Sequence, residues 1–166
     1  KQSFTDDGYF RTGDAGYMKD GELFLTERIK DLFKTSNGKY IAPQQIEGKL
    51  IVDKYIEQAA VIGDQRKYVS ALIVPSYTVL SSYADSMKIK YSSVEELLKN
   101  PKIVSFYEGR IQQAQKDLAS FEQIKKFTLL ANPFSSDNDE LTLTLKLKRK
   151  VIGEHYAKEI EAMYEN

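Results

Sequence analysis

The chain contains no cysteine. That excludes disulfides, thiolate metal sites and cysteine nucleophiles, and it suits a reducing compartment. The single histidine, His155, argues against a histidine-based metal centre, and no metal-binding residue is expected. Net charge is missing too. Basic residues number 24 against 24 acidic ones, so the molecule as a whole has no field that would gather nucleic acid or anionic lipid. Any anion site must therefore be local. No apolar run approaches the ~20 residues of a membrane span, and the N-terminal residues lack the pattern of a signal peptide. The expectation is a cytoplasmic protein with no transmembrane segment.

What is present is enough for a core: 166 residues, 42% of them hydrophobic, suit one domain with a remnant of a neighbour. The first 30 positions are dense in glycine (Gly8, Gly13, Gly16, Gly21) between short aromatic and apolar pieces, which reads as small strands joined by tight turns. Asp20-Gly21 is the best hairpin signal. It separates Gly16-Tyr17-Met18 from Glu22-Leu23-Phe24-Leu25-Thr26, in which Leu23 and Leu25 share one strand face. Leu32-Phe33-Lys34 reads as a short strand before the turn Ser36-Asn37-Gly38. Pro43 suits a first helical turn, with Ile46, Leu50 and Ile51 as the apolar stripe of a short helix.

Ala59-Ala60-Val61-Ile62 and Ala71-Leu72-Ile73-Val74 predict central antiparallel strands joined by the polar connector Gly63-Asp64-Gln65-Arg66-Lys67. Helices follow Pro75, the clearest beyond Asn100-Pro101, with Ile103, Tyr107, Ile111, Ala114 and Leu118 at spacings of three and four. Ile124 to Leu130 reads as another strand and Asn132 to Glu140 as a polar loop. A final helix has Ile152, Tyr156, Ile160 and Met163 on one face. The fold class is α+β: a small β unit at the N-terminus, then a compact sheet containing antiparallel strands with helices packed on it.

Four places can carry chemistry. Asp14 follows a glycine turn, where its carboxylate can accept two hydrogen bonds at once, as a vicinal diol such as a ribose would offer. Arg28 can fork onto a phosphate or ribose oxygen. The plain alternatives are that Asp14 caps a turn and Arg28 is a solvated strand end. Lys146 lies in the basic run Lys146, Lys148, Arg149, Lys150, which by composition reads as a solvated face. A nucleic-acid tail lacks the interleaved aromatics it would need. Gly38 is a turn glycine, or a residue whose missing Cβ lets backbone approach a ligand.

Phe10-Arg11-Thr12-Gly13-Asp14, Arg28-Ile29-Lys30-Asp31 and Thr142-Leu143-Thr144-Leu145-Lys146, taken in order, resemble the closing part of an adenylate-forming (AMP-dependent) synthetase. The match extends through Gly38-Lys39-Tyr40-Ile41-Ala42-Pro43 and Ile46-Glu47, and is most similar to long-chain fatty acyl-CoA synthetases. The resemblance implies residues 1–29 as the tail of a large N-terminal adenylation domain. It implies residues 30–166 as the mobile C-terminal domain. Asp14 and Arg28 would be nucleotide-binding, and Lys30 the hinge about which the C-terminal domain swings. Lys146 would be catalytic, an ammonium between carboxylate and α-phosphate that offsets the charge built up as the acyl oxygen attacks phosphorus.

After pyrophosphate leaves, Gly38, Lys39 and Tyr40 would help form the pantetheine tunnel of CoA. Arg66 and Lys67 would be candidates for its nucleotide end, and Glu47 would be structural. The implied reaction takes fatty acid, ATP with Mg2+ and CoA to acyl-CoA, AMP and pyrophosphate. The implied partners are those substrates and the N-terminal domain, with no nucleic acid. The fragment alone would be inactive, lacking the acyl pocket and phosphate loop.

Two positions depart from the common pattern: Leu145 and Glu27 stand where many members have glycine. Both, with the long helical stretch from Tyr77 to Leu118, are marks of the long-chain subgroup. The rival readings are an adenylation enzyme for an aryl or amino acid, and a non-catalytic module binding a protein or nucleic acid through its lysines.

Overall fold

A computed structural model describes residues 3–165. The hairpin read from Asp20-Gly21 forms from β1 (Asp14–Lys19) and β2 (Glu22–Arg28). Asp20 and Gly21 both take positive φ, 53° and 84°, the twist that a two-residue hairpin turn requires. A bulge falls between Ala15 and Gly16. A side chain at Gly16 would place its Cβ 2.6 Å from the Phe24 carbonyl oxygen, so the bulge needs glycine. The hairpin is almost uncovered: Tyr17, Met18, Leu23 and Leu25 are all exposed, and Tyr17 stacks on Phe24 across the pair.

A single 3-10 turn, Ile29–Asp31, leads into β3 (Phe33–Lys34), which pairs with β4 (Tyr40–Ile41). Helix α1 (Pro43–Leu50) starts with its proline in the first turn, where the missing N–H is no loss. Ile46 and Leu50 are buried as expected, but Ile51 is not. It is the residue that ends the helix and lies exposed, so the stripe stops one residue earlier than the sequence predicts.

The main sheet has order β5-β6-β7, with β5 (Ile56–Ile62) antiparallel and β7 (Ile124–Leu129) parallel to the central β6 (Val69–Pro75). Every residue of β6 is buried. Its near-continuous apolar run is what a strand covered on both faces must have. Strand alternation splits the core in two. Val69, Ala71 and Ile73 face one layer with Ile46, Leu50, Ile103 and Tyr107, whereas Leu72 and Val74 face the other with Phe134, Leu141, Ile152, Ile160 and Met163. Ser70 lies on the second face fully buried, and its hydroxyl is satisfied by the Tyr164 hydroxyl at 2.8 Å.

The parallel pairing of β7 requires a crossover, which α2 (Tyr77–Ser86), α3 (Val94–Lys99) and α4 (Pro101–Ala114) supply. Asn100 caps α4 by accepting from the Lys102 amide at 3.0 Å, ahead of Pro101 in the first turn. Leu118 falls beyond the end of α4 but still packs against the first core layer. The C-terminal helix predicted as continuous is two: α5 (Arg149–His155) and α6 (Ala157–Tyr164), broken at Tyr156. Tyr156 sets its ring edge-on to Phe134 at 5.7 Å, a tertiary contact that helical periodicity does not encode.

Candidate functional site

Asp14 and Arg28 open and close the hairpin as register partners, so two residues far apart in sequence are brought side by side. Arg28 Nε lies 2.8 Å from Asp14 Oδ1. Gly13, at φ 76°, turns the chain into this position, its carbonyl accepts from the Ile29 amide at 2.8 Å, and the Asp14 amide is held by Thr12 Oγ1 at 3.1 Å. The Arg28 side chain is 58% exposed. An ion pair this open is worth only about 0–1 kcal/mol, so a ligand carrying hydroxyl and phosphate groups can displace it at little cost. Lys30, in the 3-10 turn directly after Arg28, is exposed.

The Gly38 turn is well braced. Thr35 is buried and exchanges bonds with Lys39: its amide donates to the Lys39 carbonyl at 2.9 Å, and its hydroxyl oxygen accepts from the Lys39 amide at 3.2 Å. Gly38 has φ 80°, which glycine adopts freely. The turn leans on the connector between β5 and β6, with Ser36 N donating to Arg66 O at 2.9 Å and Asn37 Nδ2 to Lys67 O at 3.2 Å. Tyr40 is 65% exposed beside it. The structure thus gathers Gly38, Lys39 and Tyr40 with the backbone of Arg66 and Lys67. The Arg66 guanidinium is committed elsewhere, ion-paired to Glu161 and stacked over the Tyr164 ring, while Lys67 stays exposed.

Lys146 closes a small hairpin loop. Leu141 and Leu147 form an antiparallel bridge at its base. Within the loop, Thr142 N donates to Lys146 O at 2.8 Å, Leu145 N to Thr142 O at 2.9 Å, and Lys146 N to Thr142 Oγ1 at 3.0 Å. Leu143 and Leu145 project outward at 100% and 74% exposure. Leu145 has φ 59°, which explains in backbone terms why glycine suits this position. Among the described residues no hydrogen bond or ion pair joins Lys146 to the Asp14–Arg28 pair or to the Gly38 turn.

Three polar clusters escaped the sequence reading as clusters. Glu47, placed in the sequence as a structural residue of α1, accepts a two-pronged bond from Arg149: Nη1 to Oε1 at 2.7 Å and Nη2 to Oε2 at 2.8 Å. Its Oε1 also takes the Val61 amide at 2.7 Å. Glu140 is buried, accepting from Ser135 N at 3.0 Å and lying 3.1 Å from His155 Nδ1. Gln58 uses its amide to bind both backbone groups of Phe134. The one legible signal was Glu47 itself, an acid on the helix face that carries Ile46 and Leu50. Among the described residues no group of three or more His, Cys, Asp or Glu side chains is arranged to hold a metal ion.

This arrangement of three-stranded sheet, 3-10 turn at Lys30 and loop at Lys146 has counterparts among known proteins. Residues 30–166 match the family described as AMP-binding enzyme C-terminal domain. The chain belongs to that family. Its relatives include the long-chain-fatty-acid–CoA ligase FadD15 of Mycobacterium tuberculosis, 36% identical over 165 residues that make up 98% of this chain and 27% of the ligase. The peroxisomal long chain acyl-CoA synthetase 6 of Arabidopsis thaliana is 33% identical, over 99% of this chain and 24% of its own length. Among solved structures, the adenylation domain of a carboxylate reductase from Mycobacterium chelonae superposes with a TM-score of 0.75 at 28% identity, covering 98% of this chain and 24% of that one. The chain thus spans about a quarter of the length of the curated relatives it matches. No helix among its described residues is long and apolar enough to cross a membrane.

Proposed function

We propose that this chain is the hinge and mobile C-terminal portion of an ATP-dependent long-chain fatty acid–CoA ligase. The observation that carries the reading is the Asp14–Arg28 pair beside the Lys30 turn, in a chain whose whole length matches long-chain ligases. The intact protein would activate a fatty acid as acyl-adenylate and then pass the acyl group to the CoA thiol. Asp14 would exchange its Arg28 contact for the ribose hydroxyls of the nucleotide, leaving the guanidinium to fork onto oxygen. Lys146 would enter only in the first step, supplying positive charge where the attacking carboxylate meets the α-phosphate. Rotation at Lys30 would then bring the Gly38-Lys39-Tyr40 turn to the pantetheine arm.

ATP would arrive with Mg2+; among the described residues no acidic or histidine cluster is arranged to hold a cation, so this chain's own part in the chemistry would run through nucleotide and CoA contacts. A cytoplasmic location is part of the same reading; one relative is peroxisomal by name. The 166-residue chain alone is expected to make no acyl-CoA.

The test is Lys146→Ala in the full-length protein, with the two half-reactions measured apart. Adenylate formation should collapse while transfer from supplied acyl-adenylate to CoA persists. An unchanged first step would remove Lys146 from the site. The likeness to a carboxylate reductase adenylation domain favours a second reading, activation of another class of carboxylic acid. Pyrophosphate exchange with fatty, aromatic and amino acids separates the two.

A further inference from the structure

The loop that carries Lys146 is a self-contained tab. Its hydrogen bonds run among Thr142, Thr144, Leu145 and Lys146, and its tip is exposed. Among the described residues none of positions 142–146 is hydrogen-bonded to a residue outside that stretch. The direction in which the tab points is therefore set by its two stems. The N-terminal stem is seated by Leu141 in the second core layer and by the buried Glu140 carboxylate. The C-terminal stem donates from Lys148 N to Glu140 O at 2.7 Å, which ties the stems to each other.

What ties the C-terminal stem to the far side of the sheet is Arg149. Its guanidinium forks onto Glu47 of α1, and Nη1 also reaches the Val61 carbonyl of β5 at 3.3 Å. Glu47 reciprocates by taking the Val61 amide. The lock is well sheltered, with the Glu47 side chain 10% and the Arg149 side chain 28% exposed. A planar guanidinium held at both prongs by one carboxylate has a fixed orientation, which a point charge on a flexible stem does not.

We propose that Glu47 and Arg149 are positioning residues for Lys146: their fork orients the C-terminal stem of the lysine loop on α1 and β5, and so sets where the ammonium stands during adenylation. The inference rests on the role assigned to Lys146 above. Arg149 lies three positions after Lys146, a span of at most roughly 10 Å, so a small tilt of the stem moves the ammonium by a comparable distance. Misplacement of a reacting group by about 1 Å costs on the order of 100-fold in rate.

The experiment uses the full-length protein with Arg149→Lys, which keeps the charge but loses the fork, and Glu47→Gln, which keeps an acceptor for the Val61 amide. Lys146→Ala is run beside them, and thermal melting is recorded for each. Assays are made well below the lowest melting temperature. The expected result is a fall of about 10- to 100-fold in adenylate formation for both variants, with thioester formation from supplied acyl-adenylate within about threefold of wild type. A purely structural lock would lower the melting temperature and move both half-reactions together or neither, and that outcome overturns the proposal. So does wild-type adenylation in both folded variants when Lys146→Ala has lost it. If Lys146→Ala itself adenylates normally, the role of Lys146 fails first and the positioning role falls with it.

Discussion

Gln58→Leu should loosen the segment from which the lysine loop springs. Gln58 lies on β5, an outer strand of the sheet, and its side-chain amide does what a neighbouring strand would do. Oε1 accepts from the Phe134 amide at 2.6 Å and Nε2 donates to the Phe134 carbonyl at 3.2 Å. Phe134 is buried, with its ring in the second core layer, so both backbone groups lose their partner when the amide is removed. An unmet buried group costs about 1–3 kcal/mol, and because Gln58 itself is half-buried the low end applies to each, about 2–3 kcal/mol in all.

The leucine side chain recovers less than about 1 kcal/mol by burial, leaving a net loss of about 2 kcal/mol. For a domain of this size that is a fall in Tm of roughly 4–8 °C. Urea denaturation of wild type, Gln58→Leu and the exposed-site control Gln112→Leu measures it, the control being expected within about 0.5 kcal/mol of wild type. Hydrogen exchange at the Phe134 amide reads the local effect, which should be faster exchange in the variant. A Gln58→Leu chain as stable as the control, with Phe134 still protected, would refute the reasoning.

Two further outcomes follow from local geometry and from burial. Leu145→Gly should stabilise the chain by roughly 0.5 kcal/mol. It relieves a left-handed conformation that costs an L-residue about 1–2 kcal/mol, against the roughly 0.5–1 kcal/mol of extra freedom that glycine has when unfolded. Leu145 is too exposed for lost packing to matter, and a destabilised variant in the same urea titration would contradict this. Stability should also fall at alkaline pH, because burial raises the phenol pKa of Tyr77, Tyr107 and Tyr164 and pushes that of Tyr156 up to about 12. The unfolded chain loses these protons from about pH 10 while the folded chain keeps them. The stability they allow is therefore complete below pH 10 and lost as pH rises through the folded values. Fully buried Tyr107, whose hydroxyl donates to the Tyr55 carbonyl at 2.9 Å, contributes about 1.4 kcal/mol per pH unit in that window. A flat urea midpoint from pH 9 to 11.5 would count against it.

Sequence alone determined what depends on neighbours along the chain. Asp20-Gly21 fixed a hairpin because its two residues favour the positive φ the turn needs. Asn100-Pro101 fixed a helix start, and the unbroken apolar runs fixed the two antiparallel strands. The ordered motifs around Asp14, Arg28, Lys30, Gly38 and Lys146 carry the likeness to the family along the chain. The ends of elements were less legible. Ile51 fell outside its helix, and the last helix is interrupted at Tyr156, although Tyr156 packs in the same core layer as Ile152, Ile160 and Met163.

Only the tertiary structure decided which distant groups meet. Nothing in the run Lys146, Lys148, Arg149, Lys150 distinguishes the arginine that grips Glu47 from Lys148, which pairs with Asp139, or from the exposed Lys146 and Lys150. Nothing near Glu140 marks it as buried beside His155. That β7 runs parallel to β6 was equally unreadable, since periodicity gives a strand its face but not its direction. The physical reason is common to all three. Charge pairing and strand order depend on which surfaces the folded core brings within a few ångströms, whereas turns, caps and apolar periodicity are settled within a dozen residues.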